Sequence, residues 1–188
     1  MTPARRALLL VLVAASCVAP AAAQDAWQAA SQDGAIVLVR HATAPGVGDP
    51  PGFRLGDCST QRNLSDEGRA EARALGQRLR DRGVRVTAVW MSQWCRTRET
   101  ARLAFGEQLP REEPAFNSFF AQGPAQREAQ TSRARALLAR WSGPGTLVVV
   151  THQVNIAALT GQAAASAEAI VVRRGPSGDL RVIGSLAP

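Results

Sequence analysis

Two uninterrupted apolar runs, at residues 35–39 and 146–150, stand out in the pattern of hydrophobic and polar positions along the chain. Both runs are short and rich in β-branched residues. This composition indicates strands that are buried on both faces, as in a parallel sheet covered by helices. Residues 84–89, which follow Gly83, predict a third strand with a weaker apolar pattern.

An amphipathic segment between the first strand and the weaker one predicts a surface helix. Ser65 has the side chain of a good N-cap, and two acidic residues follow it in the first turn. The apolar residues Ala72, Leu75 and Leu79 then recur at helical spacing, whereas most other positions are charged. One face of this helix is therefore expected to pack on the core.

Three further helices are predicted downstream. Ser92 is expected to cap a helix that continues to about Phe105, and residues 125–141 form the next one. The last helix begins just after His152 and ends at Gly161, because a helix C-terminus favours glycine. Strands and helices therefore alternate along the chain.

The C-terminal segments 168–173 and 180–184 flank a turn that contains glycine and proline, and they predict a β-hairpin. With the alternation of strands and helices, this predicts an α/β fold, a three-layer α/β/α sandwich with a mostly parallel central sheet and a C-terminal hairpin. The stretch 42–56, rich in Gly and Pro, is expected to be a long loop at the rim of an active site. No linker divides the chain, so one domain is predicted over residues 24–188.

The N-terminus has the pattern of a secretory signal peptide. Arg5 and Arg6 precede the apolar residues 7–18, and small residues ending at Ala23 form a cleavage site. The apolar run is shorter than the roughly 20 residues that a membrane-spanning helix needs. We therefore predict that residues 1–23 are removed near Ala23, and that the mature protein is periplasmic or secreted without stable membrane insertion.

The three cysteines suit an exported protein. Cys17 would leave with the signal peptide. In an alternative, Cys17 is the acylated residue of a lipoprotein, although the Leu that usually stands three residues earlier is lacking. Cys58 and Cys95 remain, and an isolated pair in an oxidising compartment predicts a disulfide, with two buried free thiols as the alternative.

Charge adds a hint about the ligand. All 22 basic residues are Arg, and two of them lie in the predicted signal peptide. The mature chain therefore keeps 20 basic and 15 acidic residues, which gives a net charge of +5. A positive cleft would attract anionic substrates, although a solvated surface explains the excess equally well. The arginines are scattered, Tyr is absent and aromatic residues are few, which argues against a nucleic-acid partner.

The two histidines of the chain each follow a strongly predicted strand, at the sheet edge where α/β proteins bind ligands. Arg40 directly precedes His41, and His152 stands at the start of a helix, which favours an anion. Arg96 shares a helical face with Leu103, so it is expected to point inward. Two arginines that can fork onto phosphate oxygens, with two imidazoles, indicate a pocket for phosphoryl transfer.

Four blocks of the sequence resemble, in order, the signature segments of the histidine phosphatase superfamily, which also contains phosphoglycerate mutases. Residues 39–42, Val-Arg-His-Ala, resemble the Arg-His-Gly signature, and residues 63–72 resemble the Leu-Thr-x-x-Gly-x-x-Gln-Ala helix start. Residues 92–101 match the Ser-x-x-x-Arg-x-x-x-Thr-Ala block. Residues 148–156 match the strand that precedes the second histidine.

The resemblance implies a phosphoglycerate mutase-like fold and a phosphatase without metal or other cofactor, acting on a small phosphorylated substrate. It implies that His41 forms a phosphohistidine, and that Arg40, Arg96 and His152 bind the phosphoryl group. A histidine nucleophile must be neutral, and neighbouring arginines would lower its pKa. Ala42 replaces the glycine of the signature, a small change wherever the backbone does not require positive φ.

The proton donor does not follow from the resemblance. Gln153 stands where the acid phosphatase branch has a proton-donating Asp, and Gln cannot protonate a leaving alkoxide. Other branches place a Glu acid before the third helix, which makes Glu112 and Glu113 candidates, with solvated loop carboxylates as the alternative. Thr43, Gln153 and Asn155 are candidates for contact with the substrate.

The export signal and the motif pattern together resemble those of the lipopolysaccharide core heptose phosphatases. This resemblance suggests that the substrate is an envelope phosphosugar or a similar phosphomonoester. Without an acid, phosphohistidine or acyl phosphate substrates with good leaving groups would be favoured. A phosphate-binding module without catalysis is an alternative from another class. A metal site of His41, His152, Asp57 and the cysteines is disfavoured, because the spacing matches no zinc pattern.

Overall fold

A six-stranded sheet with helices on both faces forms the body of the computed structural model, which describes residues 21–176 and 178–188. The strands are β1 (Ala35–Arg40), β2 (Val86–Met91), β3 (Pro110–Glu112), β4 (Thr146–Thr151), β5 (Ala169–Arg174) and β6 (Leu180–Leu186). The helices are α1 (Ala21–Ala30), α2 (Asp66–Asp81), α3 (Cys95–Phe105), α4 (Pro124–Ala139) and α5 (Gln153–Thr160). Short 3-10 turns lie at Cys58–Thr60 and Pro114–Phe116.

The sheet is mixed, with the strand order β3-β2-β4-β1-β5-β6. β3, β2, β4 and β1 pair parallel to one another, as the alternation of strands and helices predicts. β5 pairs antiparallel with β1 and with β6, so the predicted C-terminal hairpin is confirmed and forms one edge of the sheet. The parallel part is therefore the centre of the molecule, and the hairpin extends it.

Alternate residues of the central strands enter two separate cores, which makes the structure a three-layer sandwich. Val37 and Val148 pack with Leu75 of α2 on one face of the sheet. Ile36 packs with Leu138 of α4 on the other face. Because both faces are covered, residues 35–39 of β1 and 147–150 of β4 are apolar at every position, and this explains the uninterrupted runs in the sequence.

The predicted helices are present, with corrections at their ends. The Ser65 hydroxyl accepts the main-chain N–H of Gly68 at 3.1 Å and caps α2, as predicted. The prediction that Ser92 caps α3 is wrong, because α3 begins at Cys95 with Trp94 in the N-cap position. The Ser92 hydroxyl instead lies 2.8 Å from a nitrogen of His152.

Two glycines of α2 allow close contacts that position the neighbouring segments. A Cβ at Gly68 would lie 2.1 Å from the carbonyl oxygen of Thr43, in the loop after β1. A Cβ at Gly76 would lie 2.1 Å from the carbonyl oxygen of Ala104, in α3. No side chain fits at either distance, so glycine is required where α2 meets the loop and α3.

Two elements were not predicted, namely α1 and the short edge strand β3. Ala26, Ala29 and Ala30 of α1 are buried in the core beneath the sheet. The predicted cleavage site after Ala23 lies within α1, whereas residues 1–20, with Cys17 and most of the predicted signal peptide, lie outside the described residues. Along the described chain, no helix combines the length and apolar character needed to cross a membrane.

Candidate active site

The two histidines meet at the carboxyl edge of the parallel strands. β1 and β4 are adjacent, and His41 follows the first while His152 follows the second. The main-chain N–H of His41 donates to the carbonyl oxygen of Thr151 at 2.9 Å, which continues the pairing past the strand ends. Both imidazoles are buried, and their ring centroids lie 5.4 Å apart in an edge-to-face arrangement.

A cavity of about 770 Å³ opens beside the two imidazoles, a volume within the usual range for small-molecule sites. The polar and charged side chains that line it are Arg40, His41, Asp49, Arg62, Arg96, Ser118, Gln122, His152 and Gln153. Both histidines and both arginines singled out in the sequence are therefore brought together. Arg62 and Asp49 were not predicted.

His41 is held as a neutral ring with a defined tautomer. Its Nδ1 lies 2.8 Å from the carbonyl oxygen of Ala42, and because a carbonyl only accepts, Nδ1 carries the proton. The unprotonated nitrogen is therefore Nε2. Burial first, and then the charges of Arg96, Arg62 and Arg40, lower the pKa of His41 to about 3 despite the hydrogen bond to Ala42.

His152 is also buried and neutral. Burial, followed by the neighbouring His41 and the arginines, lowers the pKa of His152 well below its usual value. Its Nε2 lies 2.8 Å from the Ser92 hydroxyl, and its Nδ1 has no hydrogen-bond partner among the described residues. When the Ser92 hydroxyl donates to Nε2, the proton on Nδ1 is available to an anionic ligand.

Three guanidinium groups surround this pair of rings. Arg40 donates through Nη1 to the carbonyl oxygen of Ala164 at 2.9 Å, while its Nε is buried without a partner in the described chain. Arg62 contacts backbone carbonyls of the loop after β1 through two of its nitrogens. Arg96 is only 3% exposed and contacts Asp49. Three cations against one carboxylate leave a surplus of two positive charges, which suits a dianionic phosphoryl group.

Asp49 is the acidic side chain of this cavity lining. Its Oδ1 accepts from Arg96 Nη1 at 2.7 Å, and its Oδ2 accepts from Arg96 Nη2 at 3.3 Å and from Trp94 Nε1 at 2.9 Å. Burial would raise the pKa of Asp49, but the hydrogen bonds from Arg96 and Trp94 outweigh it and lower the pKa. Asp49 is therefore ionised at neutral pH.

The loop that carries Asp49 is fastened to the start of α3. The predicted disulfide between Cys58 and Cys95 is present, with its Cα atoms 5.6 Å apart. The Gln61 side chain accepts the main-chain N–H of Cys95 at 2.9 Å, and the Phe53 ring stacks on Trp94 with centroids 5.1 Å apart. The disulfide also makes both cysteines unavailable as thiolate ligands for a metal.

The outer part of the cavity is largely apolar. Its walls include aromatic rings from three segments, Phe53, Trp94 and Phe120, together with Val47 and Val154. Val47 is 87% exposed and Phe120 is 54% exposed, so both stand at the mouth rather than in the core. The organic part of a ligand would contact these apolar side chains, beyond the arginines that line the same cavity.

The three candidates for substrate contact have different positions. Gln153 lines the cavity. Asn155 is buried behind the lining, where its Nδ2 donates to the carbonyl oxygen of Asn117 at 2.9 Å. Thr43 also lies outside the lining, and it donates through its hydroxyl and its main-chain N–H to the Glu71 carboxylate.

The candidate acids Glu112 and Glu113 do not line the cavity that contains His41. Glu112 pairs with Arg98 at 2.5 Å near the surface. Glu113 stands at the start of the Pro114–Phe116 turn and borders a separate, smaller cavity against α4. Both carboxylates therefore have contacts of their own, away from the two histidines.

Comparisons with known proteins show what this chain resembles in sequence and in fold. Residues 36–116 match the model of the histidine phosphatase superfamily, branch 1. None of the curated proteins compared is significantly similar to this chain in sequence.

Solved structures with similar folds include an Agrobacterium tumefaciens protein proposed to be the phosphohistidine phosphatase SixA. It is 21% identical with a TM-score of 0.57, and the alignment covers 82% of this chain and 98% of that one. The protein histidine phosphatase SixA complexed with tungstate is 16% identical, with a TM-score of 0.55 and coverage of 82% and 97%.

The mycobacterial glucosyl-3-phosphoglycerate phosphatase Rv2419c, complexed with VO3, is also similar. It is 18% identical with a TM-score of 0.57, and the alignment covers 79% of this chain and 96% of that one. These likenesses extend over nearly the whole length of the compared proteins, and they establish a shared fold. Residues 36–116 thus resemble the histidine phosphatase superfamily in sequence, and the chain has the fold of these solved structures.

Proposed function

We propose that this protein is a metal-independent phosphatase that uses His41 as its nucleophile. The observation that carries the proposal is the hydrogen bond between His41 Nδ1 and the Ala42 carbonyl, which leaves the lone pair on Nε2 of a neutral, buried ring. A neutral imidazole beside three guanidinium groups is the combination that attack on a phosphoryl group requires.

The reaction has two steps. In the first, the phosphoryl group binds to Arg40, Arg96 and His152, and a bond forms between His41 Nε2 and phosphorus. The ester P–O bond breaks as the leaving group departs with its electron pair, and an alkoxide leaving group takes a proton from water. The guanidinium groups and the imidazole N–H stabilise the negative charge on the equatorial oxygens. In the second step, water attacks phosphorus, the P–N bond breaks and phosphate leaves, while the electron pair of the P–N bond returns to His41.

We place this reaction outside the cytoplasm, in a mature domain of residues 24–188. The signal-peptide pattern of residues 1–23 supports export. The disulfide between Cys58 and Cys95 also supports it, because such bonds persist in oxidising compartments.

The substrate class that we favour is a phosphomonoester with a sizeable organic part, such as an envelope phosphosugar. A cavity of about 770 Å³ has room for much more than a phosphate group. The faces of Phe53, Trp94 and Phe120 provide surfaces on which a ring could pack beyond the arginines.

A second candidate is a phosphatase for phosphohistidine, acyl phosphate or another substrate with a good leaving group. The observation in its favour concerns Asp49, the acidic side chain among the described residues that line the cavity. Arg96 and Trp94 keep Asp49 ionised, so it has no proton to give to a leaving group. Likeness in fold to the protein histidine phosphatase SixA supports the same candidate. The two candidates share the chemistry at His41 and differ only in the leaving group.

One screen tests both the reaction and the leaving group. Purified protein is assayed with an activated aryl phosphate and with unactivated alkyl and sugar phosphates, in the presence of a strong chelator. We expect turnover of the aryl phosphate that His41→Ala reduces at least about a thousandfold, because removal of a nucleophile has an effect of this size. Asp57 is a partly exposed residue of the loop between β1 and α2 and lies outside the cavity, so Asp57→Asn serves as the control and keeps its activity.

The outcomes of the screen separate the alternatives. Comparable turnover of sugar phosphates supports the phosphomonoester, whereas a preference for the aryl phosphate of several orders of magnitude supports the good-leaving-group candidate. Phosphate binding without turnover of any compound would indicate a non-catalytic binding module. Turnover that survives in His41→Ala, or that the chelator abolishes, would contradict the proposal.

A further inference from the structure

The terminal nitrogens of Arg96, which the proposed function assigns to phosphate binding, contact a carboxylate of the protein itself. Two terminal nitrogens of Arg96 contact the two oxygens of Asp49, at 2.7 Å and 3.3 Å. Guanidinium groups bind phosphate oxygens with the same paired geometry. A phosphoryl group that uses both nitrogens of Arg96 must therefore replace Asp49.

The contact is buried and well supported, so it differs from an ordinary surface ion pair. The Arg96 side chain is 3% exposed and the Asp49 side chain 16% exposed. Trp94 Nε1 donates to the second oxygen of Asp49 at 2.9 Å, and the main-chain N–H of Arg62 approaches the first at 3.4 Å. These two donors remain beside Asp49 when Arg96 turns to another anion, so the carboxylate keeps hydrogen-bond partners after an exchange.

The surrounding structure fixes where this exchange would take place. Arg96 belongs to the first turn of α3, and the disulfide and the stacking of Phe53 on Trp94 hold the Asp49 loop against that turn. Arg62, whose Nε donates to the carbonyl oxygen of Gly48 at 2.8 Å, holds the same loop from the side of the cavity. Asp49 is therefore kept next to Arg96, where it can return after a ligand leaves.

We propose that Asp49 is an internal competitor of the phosphoryl group, a carboxylate that occupies the phosphate subsite of Arg96 and must be displaced when a phosphate or phosphate ester binds. The displacement weakens the binding of inorganic phosphate, and the return of Asp49 to Arg96 promotes its release. Asp49 thereby determines the affinity of the site for phosphate. This inference shares the phosphate pocket of the proposed function, but it concerns binding and requires no turnover.

Calorimetric titration with inorganic phosphate tests the inference directly. We expect Asp49→Asn, which keeps the size of the side chain but removes its charge, to bind phosphate about tenfold more tightly than the unchanged protein, because Arg96 no longer has a competing anion. The matched control is Asp57→Asn, since Asp57 belongs to the same loop but pairs with Arg54 outside the cavity. Its dissociation constant for phosphate should stay within about twofold.

A second readout comes from thermal unfolding. Asp49→Asn leaves the buried Arg96 without its carboxylate, so it should lower Tm in phosphate-free buffer, and added phosphate should raise Tm more than it does in the unchanged protein. If Asp49→Asn does not fold, Trp94→Phe provides the test, because it removes one donor that holds Asp49 and keeps an aromatic ring against Phe53. Because a displaced Asp49 then keeps only the main-chain N–H of Arg62 as a partner, we expect phosphate to bind to this variant about two to three times more weakly.

Equal or weaker phosphate binding by Asp49→Asn would overturn the inference, and it would mean that Asp49 only positions Arg96. If Trp94→Phe has to be used, equal or tighter phosphate binding by that variant would overturn the inference. These failures differ from failure of the proposed function. A protein that binds phosphate as expected here but turns over no ester contradicts the phosphatase alone. Turnover that depends on His41, with unchanged phosphate binding in Asp49→Asn, contradicts the competitor alone.

Discussion

At the scale of single residues, the contact between His41 Nδ1 and the Ala42 carbonyl decides which ring nitrogen can react. The carbonyl fixes the proton on Nδ1, and burial beside three arginines keeps a second proton off Nε2. Ala167 is the non-glycine residue with positive φ in the described chain, so Ala42 has an ordinary backbone conformation. An alanine therefore serves as well as the glycine that the superfamily signature has at this position.

The low pKa of His41 makes the stability of the protein depend on pH. The pKa of His41 is about 3 in the folded protein, whereas the ordinary value of 6.5 applies to the unfolded chain. Below pH 6.5 the unfolded chain binds a proton that the folded protein does not bind, so the free energy of unfolding falls as the pH decreases from 6.5 towards 3. For His41 alone, the free energy of unfolding should fall by about 2 kcal/mol between pH 7.5 and pH 5.

Urea denaturation of the unchanged protein and of His41→Gln at the two pH values measures this contribution. The variant lacks the titrating ring, so its free energy of unfolding should fall by about 2 kcal/mol less between pH 7.5 and pH 5. The difference between the two proteins removes the contributions of other titrating groups. An identical pH dependence in both would show that His41 is not held neutral in the folded state.

The residues of the site differ in how far the sequence reveals them. His41, His152, Arg40 and Arg96 were expected together, because each lies at the end of a strand or near the start of a helix that the sequence pattern predicts. Asp49 was not expected, since its contact with Arg96 joins residues 47 positions apart through the shape of an irregular loop. No spacing rule marks such a residue.

At the scale of elements, the loop between β1 and α2 is the irregular part of the site, and α3 supports it. The strands and helices around it were predictable because continuous apolar runs and helical spacing recur in the sequence. β3 escaped prediction because it is a three-residue edge strand that contains Pro110 and two charged residues. α1 escaped prediction because its small residues adjoin the signal-peptide pattern.

Removal of the disulfide tests the support of the loop. We expect the double variant Cys58→Ser, Cys95→Ser to lower the free energy of unfolding by about 2–4 kcal/mol, as for other disulfides that close loops of this order. KM should rise more than kcat falls, because the loop borders the binding cavity whereas His41 belongs to the sheet edge. The assay is steady-state kinetics with an aryl phosphate.

A reductant provides the control for the disulfide variant. Reduced unchanged protein should shift towards the kinetic constants of the double variant, while the double variant itself should not respond to the reductant. Unchanged KM in both comparisons would mean that the loop keeps its position without the covalent link.

At the scale of the whole molecule, the fold brings together groups that are far apart in sequence. The adjacency of β1 and β4 places His41 beside His152, which lies more than a hundred positions later. The turn after β2 leads into α3, and the first turn of α3 brings Arg96 to the same edge of the sheet. The positive charge of the cavity therefore arises from this convergence and not from the net charge of the chain.

The measurement that tests the central claim most directly is the identification of the phosphorylated residue during turnover. Protein mixed with an aryl phosphate is quenched in alkali within one turnover, digested and examined by mass spectrometry. The account predicts a phosphoryl group on His41 that is stable in alkali, lost in acid and absent from His41→Ala. A phosphoryl group on any other residue, or rapid turnover with His41 unmodified at every time point, would contradict it.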